Sequence, residues 1–174
     1  MKALHLSDYK TVRGDIRPGD VVLCRDRSLL SRIIRVIGQG RWSHCALLDR
    51  LHGRVIVYES RFPRGRMMPL SDWLKERHGE VYVARSTQAS VGEFTCEWAL
   101  GAHYRPYAWR DLVKYVVWRA CGWWPGKRDT AHQLVCSELV GRALQFGGLD
   151  VPQPGPMLAP ADVAAIVTLR WRIK

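Results

Sequence analysis

Cys136, His44 and Glu59 are the three residues whose types could together perform covalent chemistry: a thiol nucleophile, an imidazole base and a carboxylate to orient it. Cys136 opens a segment in which Cys136, Leu139, Val140, Ala143 and Leu144 recur at helical spacing, and Gly147-Gly148 ends it. A thiol at the start of a helix lies beside unpaired backbone N–H groups and the positive end of the dipole, so it ionises more readily than a free one. Cysteine is also among the most buried residue types, and an apolar face would suit it as core. His44 follows Trp42-Ser43 and precedes an apolar run, where an imidazole can project from the mouth of a rigid strand as a general base. His5, His52, His78, His103 and His132 read as ordinary surface or core histidines, with His132, four residues before Cys136, as a competing base. Glu59 closes the run Val55-Ile56-Val57-Tyr58 and could hold His44 in one tautomer, or could face solvent as a partner for Arg61 or Arg64.

Elements able to position these residues are legible around them. Gly19-Asp20 punctuates the start of a strand over Val21-Val22-Leu23-Cys24. Ser28 reads as the N-cap of a helix from Leu29 to Ile37 that buries its leucines and isoleucines, turns Arg32 and Arg35 to solvent and stops at Gly38. The apolar segments 45–48 and 55–58, separated by a turn with His52 and Gly53, predict a hairpin in which the start of one strand lies beside the end of the other, making His44 and Glu59 neighbours. An Arg- and Pro-rich loop, Arg61 to Arg66, leads to a short helix near 71–77 and a strand over 80–84. Helical spacing recurs over 91–102 and 109–120; Pro160 opens a last short helix through Val167, and 169–173 alternates as an edge strand. Strands grouped early and helices grouped late predict an α+β fold in one domain spanning 1–174.

In chain order, Gly19-Asp20-Val-Val-Leu, Trp42-Ser43-His44-Cys45-Ala46-Leu47, Val57-Tyr58-Glu59-Ser60, Arg105-Pro106-Tyr107 and Val135-Cys136-Ser137-Glu138-Leu139-Val140 resemble the circularly permuted NlpC-type cysteine hydrolases, the YiiX-like branch of the papain-like superfamily. The resemblance runs from residue 19 to residue 140. It implies a small antiparallel sheet packed against helices, with the nucleophile at a helix N-terminus. It implies Cys136 as nucleophile, His44 as base and acid, and Glu59 as orienter. The inverted order, His before Cys, follows from the permutation. Tyr107 resembles the tyrosine this family sets beside its nucleophile, although Tyr104 and Arg105 stand where a glycine is usual. Ser137 is a substrate- or oxyanion-side candidate that could equally serve as a cap, while Glu138 suits the helix dipole and is assigned to structure. The implied activity is hydrolysis of an amide through an acyl-enzyme, foremost in peptidoglycan stem peptides. Lipid-directed ester or thioester chemistry, by hydrolysis or acyl transfer, is the alternative.

Composition sets the partners. The 174 residues, 47% hydrophobic and 25% charged, are those of an ordinary globular domain, and the net charge of +11 favours an anionic polymer or lipid. Peptidoglycan leads, a membrane surface is open, nucleic acid is disfavoured, and a non-catalytic basic binding module is the reading from another class. Arg61, Arg64, Arg110, Trp123 and Trp124 are the candidate contacts with such a surface, Trp123-Trp124-Pro125-Gly126 reading as a loop where exposed rings need a reason. Five scattered cysteines exclude a complete disulfide framework. His44, Cys45, His132 and Cys136 are poorly spaced for tetrahedral metal ligation, so neither metal nor cofactor is expected. Charges at Asp8, Lys10 and Arg13 interrupt any signal-peptide core, so the expectation is cytoplasmic synthesis, with delivery to an envelope by a phage or secretion system.

Overall fold

A computed structural model describes residues 8–86, 92–127 and 132–174. Six strands, β1 (Val21–Arg25), β2 (His44–Leu51), β3 (Arg54–Glu59), β4 (Arg66–Pro69), β5 (Glu80–Ser86) and β6 (Val167–Arg172), form one sheet in the order β4-β3-β2-β1-β5-β6. Every neighbouring pair is antiparallel. The helices are α1 (Tyr9–Val12), α2 (Leu29–Ile37), α3 (Leu70–Lys75), α4 (Gly92–Ala102), α5 (Trp109–Cys121), α6 (Cys136–Phe146) and α7 (Pro160–Ala165). His5 and Arg128 lie outside the described residues.

The continuous apolar run of β1 has its reason in burial on both faces of the sheet. On one face Leu23, Cys45, Leu47 and Tyr58 meet Leu139, Val140, Ala143 and Leu144 of α6, with Ala99 of α4. On the other, Val22, Ala46, Leu48 and Val57 meet Leu70 and Trp73 of α3 and Val12 and Ile16 near α1. A third cluster, Ala108, Tyr115, Val135, Met157 and Ala159, joins the start of α6 to α5 and to the approach to α7.

The β2–β3 hairpin turns through His52 and Gly53 at φ 50° and 76°, the pair of positive values that a tight two-residue hairpin turn requires. Beyond β3 the sequence reading needs correction. The Arg- and Pro-rich stretch read as loop supplies β4, whose Arg66, Met67 and Met68 pair with Glu59, Tyr58 and Val57. As an edge strand ending at Pro69 it tolerates a residue without a backbone donor. Gly65 enters this strand where a Cβ would stand 1.6 Å from the His103 carbonyl oxygen, so the crossing of the two backbones requires glycine. The last short helix ends at Ala165, because the chain from Val167 is drawn into pairing with β5.

Helix α2 also departs from expectation. Ser28 caps it as read, its Oγ accepting from the Ser31 N–H at 3.2 Å. The face is inverted, however: Ser31 is buried and Arg35 donates to the Asp26 carbonyl at 3.0 Å, whereas Leu29, Leu30, Ile33 and Val36 are exposed. Ser31 and Arg35 find their partners on the body of the protein and most of the apolar stripe is left outside, while Ile34 and Ile37 stay half-buried and Arg32 faces solvent as read.

Candidate active site

Cys136 is the first residue of α6, held where the capping residue Val135 is extended and packs in the third core cluster. His44 is the first residue of β2, and its imidazole stands close enough to the Cys136 sulfur for each to act on the charge of the other. On its other side, His44 Nε2 lies 2.7 Å from Glu59 Oε2, which leaves Nδ1 as the nitrogen for the sulfur. Glu59 ends β3 and is fully buried, so the carboxylate is not the solvent-facing partner of Arg61 or Arg64 that its position also allowed. Residues 136, 44 and 59 therefore bring sulfur, imidazole and carboxylate together, with the imidazole hydrogen-bonded to the carboxylate and adjacent to the sulfur.

Electrostatics follow from this arrangement. The Cys45 thiol, hydrogen-bonded to Cys136, does most to hold the Cys136 pKa well below that of a free thiol; burial opposes it, and the charge and hydrogen bond of His44 assist. Burial disfavours the imidazolium of His44, but the Cys136 thiolate and the bond to Glu59 outweigh it and raise the His44 pKa to about 9. For Glu59, burial again opposes ionisation and is overcome by His44 and by the charge of Arg77, leaving the carboxylate well below its usual range. Both directions favour a thiolate–imidazolium pair over the neutral thiol and imidazole.

Four further residues shape the site, and motif reading found none of them. Cys45, next to His44, is buried, its pKa raised well above normal by burial and by the neighbouring Cys136; it stays a thiol able to donate to the thiolate. Arg77 donates to Glu59 Oε2, lies 3.3 Å from Asp26 Oδ2, and stacks 4.0 Å from the centre of the Trp73 ring. Arg66 donates to Glu59 Oε1 at 2.7 Å and also pairs with Glu76. The Trp73 ring lies 6.4 Å from that of His44 at an interplanar angle of 28°. Adjacency to His44 was the available signal for Cys45. Arg77 and Trp73 carried none, because only the packing of α3 against the sheet brings them under the carboxylate.

Tyr107 is brought beside Cys136 by backbone bonds from Tyr107 N–H to Pro63 and from Ala108 N–H to Leu134, and burial, then the charges of Cys136 and Cys45, raise its pKa. Ser137, offered by sequence as an oxyanion-side residue or a cap, is buried and its hydroxyl donates to the Leu158 carbonyl at 2.6 Å, tying α6 to the chain before α7. Glu138 Oε2 accepts from the Val135 N–H at 3.4 Å, a structural contact. His132 is exposed, whereas the imidazole beside Cys136 is that of His44. A narrow recess beside Cys136 is walled by Ile34 and Ile37 of α2, Leu112 and Tyr115 of α5, Tyr107 and Met157, and is almost wholly apolar.

The candidate surface contacts divide. Arg61 is exposed but engaged by Glu76 at 2.9 Å, and Arg64 is exposed where its backbone bridges Pro106. Arg110 lies over the Trp109 ring at 5.5 Å. Trp123 is exposed and Trp124 is half-buried near Lys114.

No family model matches the chain, and no curated protein matches it. Among solved structures it is similar to the crystal structure of metalloprotein YiiX from Escherichia coli O157:H7, with 16% identity and a TM-score of 0.69 over 90% of this chain and 97% of that one. YiiX is described as a metalloprotein; among the described residues of this chain, no group of three His, Cys, Asp or Glu side chains is placed to hold a metal ion. What the two chains share is the fold, and this chain accordingly has an α+β, YiiX-like architecture with a six-stranded antiparallel sheet.

Proposed function

We propose that this protein is a thiol hydrolase in which Cys136 forms an acyl-enzyme, His44 moves the protons and Glu59 orients His44. The observation that carries the reading is the meeting of Cys136 with His44, whose imidazole is hydrogen-bonded to the buried Glu59. The thiolate attacks a carbonyl carbon, forming a C–S bond as the carbonyl π electrons move to oxygen. First-turn backbone N–H groups of α6, including that of Cys136, stabilise the oxyanion. Collapse expels the amine, alcohol or thiol leaving group, which takes its proton from the His44 imidazolium. Water then attacks the thioester, gives a proton back to His44 and releases the carboxylic acid and the thiolate. Tyr107, close to the sulfur, borders the path of the substrate.

Cleavage of an amide in peptidoglycan stem peptides is the first substrate reading, supported by the resemblance and by attraction of a +11 protein to an anionic wall. One observation favours lipid-directed ester or thioester chemistry instead: the recess at Cys136 is walled by aliphatic and aromatic side chains, which suit a hydrocarbon acyl group better than a charged stem peptide.

Iodoacetamide labelling of each cysteine against pH, read by mass spectrometry, tests the thiol mechanism. Cys136 is expected to label first and to stay reactive on the acid side of an ordinary thiol. His44→Ala should move its labelling to higher pH, and turnover of an activated ester should fall about 10²–10⁴-fold. Wild-type turnover should decline as pH rises through about 9, where His44 loses the proton it must donate. Equal labelling of all five cysteines would leave a basic binding module as the reading. Comparing nitrophenyl esters of short and long acyl chains with amino-terminus release from peptidoglycan then separates the two substrates.

A further inference from the structure

Helix α2 is amphipathic, yet it is mounted with its apolar side out. Leu29, Leu30, Ile33 and Val36 are 74%, 56%, 43% and 77% exposed, while Ser31 is buried against the body. Helix α5, which touches α2, repeats the pattern: Trp109, Val113 and Val116, at i, i+4 and i+7, are 50%, 55% and 39% exposed, and Trp123 follows just beyond the helix end at 64%. Isolated apolar side chains on a surface need no explanation, but two touching helices that each present a stripe do. The same helices wall the recess at Cys136, through Ile34 and Ile37 on one and Leu112 and Tyr115 on the other. On the flank of α2, Arg25, Arg27, Arg32 and Arg35 line a groove with Glu80 as its carboxylate. Glu80 lies 3.7 Å from Arg25 and Arg172 and 3.8 Å from Arg41, so the cations around it outnumber it.

We infer that the exposed faces of α2 and α5 form a docking surface for an anionic lipid bilayer, with the apolar stripes entering the headgroup–acyl boundary and Arg32, with Arg25 and Arg27 beside it, contacting lipid phosphates. An interfacial helix needs a strongly apolar side, flanking arginines that reach to the headgroups and aromatic rings at the boundary, and α2, α5 and Trp123 supply these together. The arginine groove argues for an anionic surface rather than an apolar protein partner. Docking there would bring to the bilayer the two helices that also wall the recess at Cys136, so the inference extends the lipid-directed reading while standing on a separate observation.

Co-sedimentation with phosphatidylglycerol vesicles and with phosphatidylcholine vesicles tests it. The wild-type protein is expected to pellet with phosphatidylglycerol, weakly with phosphatidylcholine, and less as salt rises. The double variant Leu29→Asp, Val36→Asp should lose at least about tenfold in affinity, and Arg32→Glu roughly fivefold or more, with cysteine labelling and thermal unfolding unchanged in both. Since the substituted side chains are exposed, Arg32→Glu also serves as the check if the double variant does not fold. Cys136→Ala should bind vesicles as the wild type does; vesicle binding without ester turnover in the wild type would sink the hydrolase reading and leave the docking surface standing. Failure of the wild type to bind phosphatidylglycerol vesicles, or equal binding by wild type and variants, overturns the inference. So does a dimer in sedimentation equilibrium that the double variant abolishes while vesicles bind neither protein, which would assign the face to a second copy of the chain.

Discussion

Glu59 is asked to do two things with one buried carboxylate. It accepts from His44, and it neutralises Arg77, whose guanidinium is itself buried between Trp73 and the sheet. Replacing it by glutamine keeps the shape and removes the charge, leaving the buried Arg77 with Asp26 as its one remaining carboxylate among the described residues. Glu59→Gln is therefore expected to destabilise the fold by about 3–5 kcal/mol, measured by urea unfolding, as well as to slow turnover. The pH dependence has a definite sign: the folded pKa of Glu59 is depressed from 4.5, so its contribution is complete above that value and is lost as pH falls through the folded one. The gap in stability between wild type and Glu59→Gln should accordingly be full near neutrality and narrow on acidification. An unchanged gap at low pH would mean that the carboxylate's charge is not what holds Arg77. Cys45 shows the same economy at the neighbouring position, since a protonated thiol beside the thiolate supplies a donor without a competing charge.

At the scale of elements, the site depends on where β3 ends and on how the chain returns to it. The chain leaves Glu59, passes Arg61 to Arg64 and comes back as β4, so that Arg66 faces the carboxylate it left. This return runs under the backbone of His103 at the end of α4, with Gly65 N–H donating to the Arg105 carbonyl at 3.0 Å. A methyl group at 65 has no room there. Gly65→Ala should displace β4 and lower stability by about 1–3 kcal/mol, with a loss of turnover larger than the same methyl produces in Gly53→Ala, a turn glycine with open space around it and remote from the site. Differential scanning calorimetry and ester turnover on the two variants check this. Comparable turnover losses would show that β4 does not position Glu59. The segment Arg61 to Arg66 reads as loop from sequence because charged and Pro residues obscure the strand pattern; its pairing partner, rather than its own composition, makes its end a strand.

At the scale of the molecule, the two principal cores share one sheet. Trp73 and Leu70 bury one face, Leu139 and Leu144 the other, and β1 to β3 contribute to both through alternate residues. Neither core can be lost without taking away strands that the other requires. Urea unfolding should therefore be a single transition, with far-ultraviolet circular dichroism and tryptophan fluorescence coincident. Separated transitions would show that the two faces unfold independently. Among the described residues no helix is long and apolar enough to cross a membrane, which leaves the exposed stripes of α2 and α5 as lipid-facing candidates only from the surface.

The sequence by itself determined most of the strands and helices around the three chemistry-bearing residues, β4 excepted, because local signals carry that information: the His52-Gly53 turn, the Ser28 cap, and the spacing from Cys136 to Leu144. It also placed His44 and Glu59 at strand ends that a hairpin must bring together. Tertiary structure alone decided that Arg77, Trp73 and Arg66 surround Glu59, that Cys45 supports the sulfur, that Ser137 binds the Leu158 carbonyl instead of capping, and that α2 faces outward. Periodicity gives the angle between a helix's apolar and polar sides. Which side meets the protein depends on the partners waiting there, here the Asp26 carbonyl and the body against which Ser31 is buried, and those are set by the fold of distant segments.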